Sequence, residues 1–291
     1  MARKRTQMRS VAAYSIHGRD ASGVIDYPEF VNVVADLASA RESRKVVLGQ
    51  VVAVTQTSRI SEDVTALRFI SGSEDQVPVF YNERTGSEES VERDEGVFAV
   101  AVWAIFNTTS RLVAIERKRP GVSTAIIERY LQALGRDAGY DRLTIDLNQV
   151  TSEEFDRAVQ ELETVKKVTV AVNQPNLDWS DDSNEIHKYA EESSAASARV
   201  ELVAPRGEGL SKKKGIVQDI LGLARKKISS LKNVVVVGQA PGEAGNKTIN
   251  LERYARKTQV EVERGATAFE ELDAIRESSL EMIAEDEGAT A

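Results

Sequence analysis

The sequence predicts an α+β protein, with a mixed-sheet globular domain and a second, smaller α/β domain. Two observations carry this reading. The ten apolar residues of 97–106, rich in aromatic and β-branched side chains, suit a buried strand and mark the first half as β-rich. Residues 143–172 then read strand, helix, strand, a unit that usually builds a sheet covered by helix. A length of 291 residues and 41% hydrophobic content allow one large domain or two smaller ones.

In chain order, residues 11–16 read as a strand, and a helix follows from Pro28 with Asp26 as its cap. Two β-rich runs lie at 46–54 and 64–70, and the acidic stretch 85–96 reads as a solvated loop. Residues 98–106 and 111–118 form a hairpin around Asn107-Thr-Thr-Ser110. Ser123 caps a helix over 124–134, with Gly135 as its stop. Beyond it, 143–147 is a strand, Thr151-Ser-Glu-Glu154 a capping box, and 165–172 the next strand. Residues 187–198 read as helix, 199–203 as strand, 211–231 as a long amphipathic helix weakened by Gly215 and Gly222, and 233–238 and 258–263 as strands. An acidic helix covers 266–283. The domain boundaries that follow are 1–140, 141–265, and 266–291 for the acidic helix and tail.

The absence of cysteine excludes a disulfide framework and every thiolate-held zinc or iron–sulfur site. No apolar run approaches the roughly 18 residues that cross a bilayer, and no hydrophobic signal follows the basic start. The expected location is therefore the cytoplasm. Net charge is -8, yet its distribution is uneven. Residues 206–232 carry eight bases against Glu208 and Asp219, and the first nine residues carry four bases and no acid. Residues 74–95 and 270–287 hold eight acids each.

The basic segment points to phosphate. On a continuous helix, Lys214, Arg225 and Lys232 fall in line along one shoulder of the apolar face of Ile216, Ile220, Ala224 and Ile228. Such a ridge suits successive phosphates, whose charge is the same whatever the base. Lys212 and Lys213 add positive field at its start, with Arg206 and Lys226 nearby. Arg3, Lys4 and Arg5 form a basic arm, and Arg117, Lys118 and Arg119 precede the helix start at Ser123, where free N–H groups also attract anions. The plainer reading is a solvated amphipathic helix with surplus lysine. An acidic membrane surface is a third reading, although the segment has no aromatic anchor.

The acidic final helix can instead dock on the basic segment, within the chain or across a dimer. Signals for chemistry are weaker. Val234-Val-Val-Val-Gly-Gln-Ala-Pro-Gly-Glu-Ala-Gly-Asn-Lys-Thr248 has a strand entering a glycine-rich turn, but the glycine before Lys247 that a phosphate loop needs is replaced by Asn246. His17 and His187 are the only histidines, and no acidic spacing marks a metal site. No catalytic residue, cofactor or metal ligand is assigned.

The order of elements resembles that of the phage RexA-like superinfection-exclusion proteins. The resemblance runs from the early strand and helix through 98–106 with its partner strand 111–115, the 123–135 helix, the 143–172 unit and the lysine-rich 212–232 region. It implies a homodimer with a globular domain and a mobile second domain. It also implies DNA binding of low sequence preference and action beside a separate membrane protein. Expected function is thus weakly selective binding of double-stranded DNA in phage exclusion or defence. The alternatives are a protein-interaction or regulatory module that binds no DNA, and a degenerate nucleotide-binding or metal-dependent enzyme.

Overall fold

The computed structural model describes residues 5–73, 79–82, 87–90, 98–173, 197–226, 231–243 and 245–284. The chain divides into two compact units, one of residues 1–11, 18–145 and 259–291, the other of 12–17 and 146–258. The acidic helix expected to stand apart at 266–291 belongs to the first unit.

The first unit is built on long antiparallel strands. β1 (Thr6–Asp20) leads through a short β2 (Gly23–Val24) to α1 (Tyr27–Ser39). Asp26 Oδ1 accepts the Glu29 amide at 2.9 Å and Pro28 sits in the first turn, so α1 starts where its capping residues require. The sheet then runs β3 (Lys45–Val47), β4 (Gln50–Arg59), β5 (Val64–Ser73), β8 (Phe98–Asn107) and β9 (Leu112–Arg117), in the order β1-β9-β8-β5-β4-β3. The pairings β3–β4, β4–β5, β5–β8 and β8–β9 are all antiparallel. Within the expected loop 85–96, β7 (Ser87–Ser90) pairs antiparallel with β6 (Val79–Asn82).

Helix α2 (Thr124–Asp137) covers the sheet, capped by Ser123 Oγ on the Ile126 amide. Tyr130 is fully buried. Its hydroxyl donates to Ser43 O at 2.8 Å and accepts the Val54 amide at 3.2 Å, and burial pushes its pKa up to about 12. Gly135, expected to stop the helix, lies inside it, where a Cβ would collide with the buried side chains of Leu143 and Phe30. Its role is close packing.

The second unit holds a four-stranded sheet in the order β12-β11-β13-β14: β12 (Ser197–Val203), β11 (Thr164–Asn173), β13 (Asn233–Gln239) and β14 (Asn246–Asn250). All three pairings are antiparallel. α3 (Glu153–Gln160) and α4 (Ile216–Arg225) bury Phe155, Val159, Val217, Ile220 and Leu221 against Val168, Val170, Val234 and Val236 of the sheet. Ser152 stands at the N-cap of α3 without a side-chain cap bond, so the expected capping box does not close.

The α+β expectation is thereby corrected to a β-rich fold of antiparallel sheets. The strand–helix–strand order over 143–172 is present, but its strands join different sheets. β10 (Thr144–Gln149) pairs in the sheet that contains β1, whereas β11 pairs antiparallel with β12 and β13. Every neighbouring pair of the smaller sheet is antiparallel; β12 and β13, each antiparallel to β11, run the same way on either side of it and are joined through α4. In Gly135→Ala, the gain in helix propensity is about 1 kcal/mol. Overpacking against Phe30 and Leu143 is expected to outweigh it, leaving a net loss of about 1–2 kcal/mol. Chemical denaturation measures this, and a variant as stable as wild type would mean the packing is loose.

Candidate nucleic-acid interface

The expected cationic ridge requires one helix from 211 to 231. The structure holds only ten residues of it in α4, Ile216–Arg225. Gly215 takes φ 70° and ψ -159°, a left-handed conformation that breaks any helix arriving from Lys212. At the other end Lys226 turns extended at φ -74° and ψ 135°. Lys214 therefore precedes α4, and Lys232 stands just before β13. The three side chains share no helical face.

Their partners complete the correction. Arg225 Nη2 meets both carboxylate oxygens of Asp156 at 3.0 Å. Lys232 Nζ meets Asp146 Oδ1 at 3.2 Å. Lys212 Nζ donates to the carbonyls of Gln160 at 2.7 Å and Leu162 at 2.6 Å, neutralising the negative end of α3. Three of the expected phosphate contacts thus hold the second unit together.

Arg206, Lys213, Lys214 and Lys226 remain exposed, and none forms an ion pair among the described residues. Lys213 and Lys214 directly precede an uncapped helix start. Gly215 offers no side chain to the first-turn amides of α4, which leaves their partial positive charge open to an anion. Asp219, also exposed, places one carboxylate on that first turn and weakens the field. Lys227 and the arm residues Arg3 and Lys4 lie outside the described residues. Arg5 is exposed.

In the first unit, Arg117 and Arg119 are exposed, but Lys118 is not available. It belongs to a cluster that sequence reasoning missed. Glu116 is 1% exposed and its Oε1 lies 3.2 Å from Lys118 Nζ and 3.6 Å from Arg9 Nη1. Its Oε2 accepts the Trp103 amide at 3.2 Å. Glu271 of α5 (Ala268–Ile283) closes the cluster, with Oε1 at 3.3 Å from Lys118 and 3.5 Å from Arg9, and Oε2 at 3.2 Å from Arg68. The Arg68 guanidinium lies 5.8 Å from the centroid of the Trp103 ring, whose Nε1 donates to Ala268 O at 2.9 Å. Desolvation raises the Glu116 pKa, opposed by Lys118, the Trp103 amide and Arg9. The acidic helix therefore docks on Arg9, Arg68 and Lys118, which are not on the basic segment it was expected to mask. At Ser123, Oγ already caps the Ile126 amide and so takes one first-turn donor from the anion reading there.

The glycine-rich stretch before Lys247 is the turn of the β13–β14 hairpin, with Lys247 opposite Gly238 in the ladder. A phosphate loop needs a helix after its lysine, and here Lys247 is itself in a strand. His17 is buried within β1, its Nε2 3.0 Å from Ser15 Oγ, and Ser15 has no exposure at all. This pair has the elements of a nucleophile and base but no access for a substrate. His187 lies outside the described residues. No group of acids and histidines suited to a metal occurs among the described residues, and none of their helices is long and apolar enough to cross a membrane.

Residues 10–227 match the family model described as a domain of unknown function, DUF4747. The chain belongs to the DUF4747 family. The matched stretch runs from β1 to just past α4, and so includes Lys212–Lys214, the start of α4 and Glu116. It leaves β13, β14, β15 (Lys257–Glu263) and α5 of this DUF4747 chain outside. No curated protein matches it.

Removing one partner of a part-buried charge cluster strands the others. Glu271→Ala is expected to cost about 3 kcal/mol of unfolding free energy, and a cost under about 0.5 kcal/mol would show that the cluster does not hold α5. The raised Glu116 pKa fixes a sign. Between its ordinary value and its raised folded value, the folded chain binds more protons than the unfolded one, so Glu116 lowers stability as pH rises through that window. Relative to wild type, Glu116→Gln should become steadily more stable as pH rises across it. A stability difference flat with pH would contradict the raised value.

Proposed function

We propose that this DUF4747 protein grips the phosphate backbone of double-stranded DNA with little regard for sequence. The contact is the segment from Arg206 to Gly215 together with the start of α4. The observation that supports this is the pair Lys213 and Lys214, exposed and free of ion pairs among the described residues, set against first-turn amides that no side chain caps. Lysines before an open helix start attract phosphate oxygens by charge and by N–H donation together. Arg206 and Lys226 extend the positive surface. The net charge of -8 opposes approach to DNA and makes the binding weak, while its salt dependence follows the few phosphates that the lysines neutralise. Action in phage superinfection exclusion, in the cytoplasm and beside a membrane protein, is proposed from the resemblance in element order alone.

A protein-interaction module without DNA binding is the competing reading. It is favoured by the engagement of Lys212, Arg225 and Lys232 inside the second unit.

Anisotropy of a labelled random-sequence duplex separates the two. Lys213→Glu with Lys214→Glu is expected to weaken binding at least about tenfold at about 0.1 M salt, and to flatten the log–log salt slope by about 2. Asp219→Asn is expected to tighten it. Wild-type protein that leaves the duplex unshifted, or a double variant that binds as well as wild type, removes the DNA reading.

A further inference from the structure

We infer that the outer edge of β12 joins two copies of this chain, antiparallel and centred on Val200. The inference is independent of DNA binding. β12 ends the four-stranded sheet, and among the described residues no strand pairs along its other side. Edge strands are usually guarded by lysine, proline or a bulge. The opposite edge, β14, reads Asn-Lys-Thr-Ile-Asn and is largely exposed and polar. β12 reads Ser-Ala-Arg-Val-Glu-Leu-Val, without lysine, proline or bulge; its two charges, Arg199 and Glu201, are of opposite sign, and Leu202 is 41% exposed and Val203 64%.

The backbone sets which groups face outward. The Ala204 amide bonds Lys166 O at 2.8 Å, and Lys167 stands opposite Val203. By the alternation of an antiparallel ladder, Leu202, Val200 and Ala198 bond inward to β11. Ser197, Arg199, Glu201 and Val203 therefore turn their N–H and C=O groups to the free side. An incoming antiparallel strand must bond to those four.

Among registers that a second copy can adopt there, centring on Val200 places Arg199 opposite Glu201 of the other copy, twice by symmetry. Centring on Arg199 or on Glu201 sets like charges against each other. Arg199 is exposed and forms no ion pair among the described residues. Glu201 is half-exposed, and its Lys167 and Thr169 contacts both use Oε2, at 3.4 and 3.1 Å, which leaves Oε1 for the incoming guanidinium. The same register lays Leu202 beside Ala198 of the second copy and covers its exposed surface. The partner that fits this edge is the chain itself, in an isologous contact.

Sedimentation equilibrium up to about 0.1 mM should find a wild-type dimer, and a monomer throughout that range overturns the inference. Arg199→Glu alone and Glu201→Arg alone are each expected to weaken association about tenfold, because each sets like charges opposite. An equimolar mixture of the two variants should regain wild-type association, since the paired carboxylates of the first variant then face the paired guanidinium groups of the second. Single variants as dimeric as wild type, or a mixture no better than its components, also overturn it.

Cysteine cross-linking tests the register without depending on charge. The chain has no cysteine, and Val200 would face itself across the axis in a non-hydrogen-bonded pair, with about 4.5 Å between Cα atoms. Under oxidised glutathione, Val200→Cys should form a disulfide-linked dimer, whereas Ala198→Cys, which faces Leu202, should not. Equal cross-linking of both, or of neither, rejects the pairing.

Discussion

Glu116 is a carboxylate almost wholly removed from water in the middle of a sheet, and the organisation of the first unit follows from what it needs. An ionised group so placed costs several kcal/mol unless cations and hydrogen bonds surround it. Arg9 from β1, Lys118 just after β9 and the amide of Trp103 from β8 supply them. Those cations, with Arg68 from β5, then exceed the charge of one carboxylate, and Glu271 of α5 supplies the second. The acidic helix is in this sense a consequence of Glu116. Its apolar residues Leu272, Ile275, Met282 and Ile283 give the helix its affinity for the sheet, while Glu271 and the Ala268 carbonyl on Trp103 select the position at which it settles. At the far end Ser110 Oγ and Asn107 Nδ2 donate to the Ile283 carbonyl at 3.0 and 3.3 Å, which fixes the direction of the helix. The cluster is not saturated: Arg9 Nε is buried without a hydrogen-bond partner among the described residues.

The same demand decides which cations of the second unit remain for a ligand. Lys212, Arg225 and Lys232 answer needs inside the unit, namely the exposed carbonyls at the end of α3 and the side chains of Asp156 and Asp146. The Arg225–Asp156 pair lies near the surface and contributes little to stability, yet it occupies the guanidinium with a carboxylate of its own unit. A tally of eight bases in 206–232 overstates the charge on offer. What remains is a shorter, denser feature at the turn before α4.

Local signals were legible. Asp26 and Ser123, the expected caps, each sit one residue before a helix and accept its amide; the Thr267–Glu270 capping box closes too, on a helix for which no cap is expected from the sequence. The 98–106 and 111–118 strands form their hairpin, β8 and β9, because its turn residues and alternation are contained within twenty residues or so. The illegible parts depend on distant partners. Arg225 and Asp156 are 69 positions apart, Arg68 and Glu271 203. A helix wheel places a lysine on a face without revealing what stands opposite. Gly135 looked like a stop because glycine often ends helices, and only the packing of Phe30 and Leu143 against it gives its other use. Gly215 was the reverse case: its signal for breaking a helix was present, and the apolar periodicity of 216–231 overrode it.

An antiparallel union through β12 has its twofold axis perpendicular to the sheet, because only that operation keeps both ladders in one surface. The face that carries α3 and α4 in one copy then carries them in the other, and the two starts of α4 look out from the same side. For a rod-like polyanion this matters more than the strength of either contact. On the proposed reading, two weak sites on one surface would engage the same duplex, the second at an effective concentration set by geometry, which raises affinity by orders of magnitude without any added contact. A chain with net charge -8 has little long-range attraction for DNA to rely on. If both proposals hold, pairing of copies would give a short lysine turn on an acidic protein its affinity for DNA, and would tie that affinity to protein concentration.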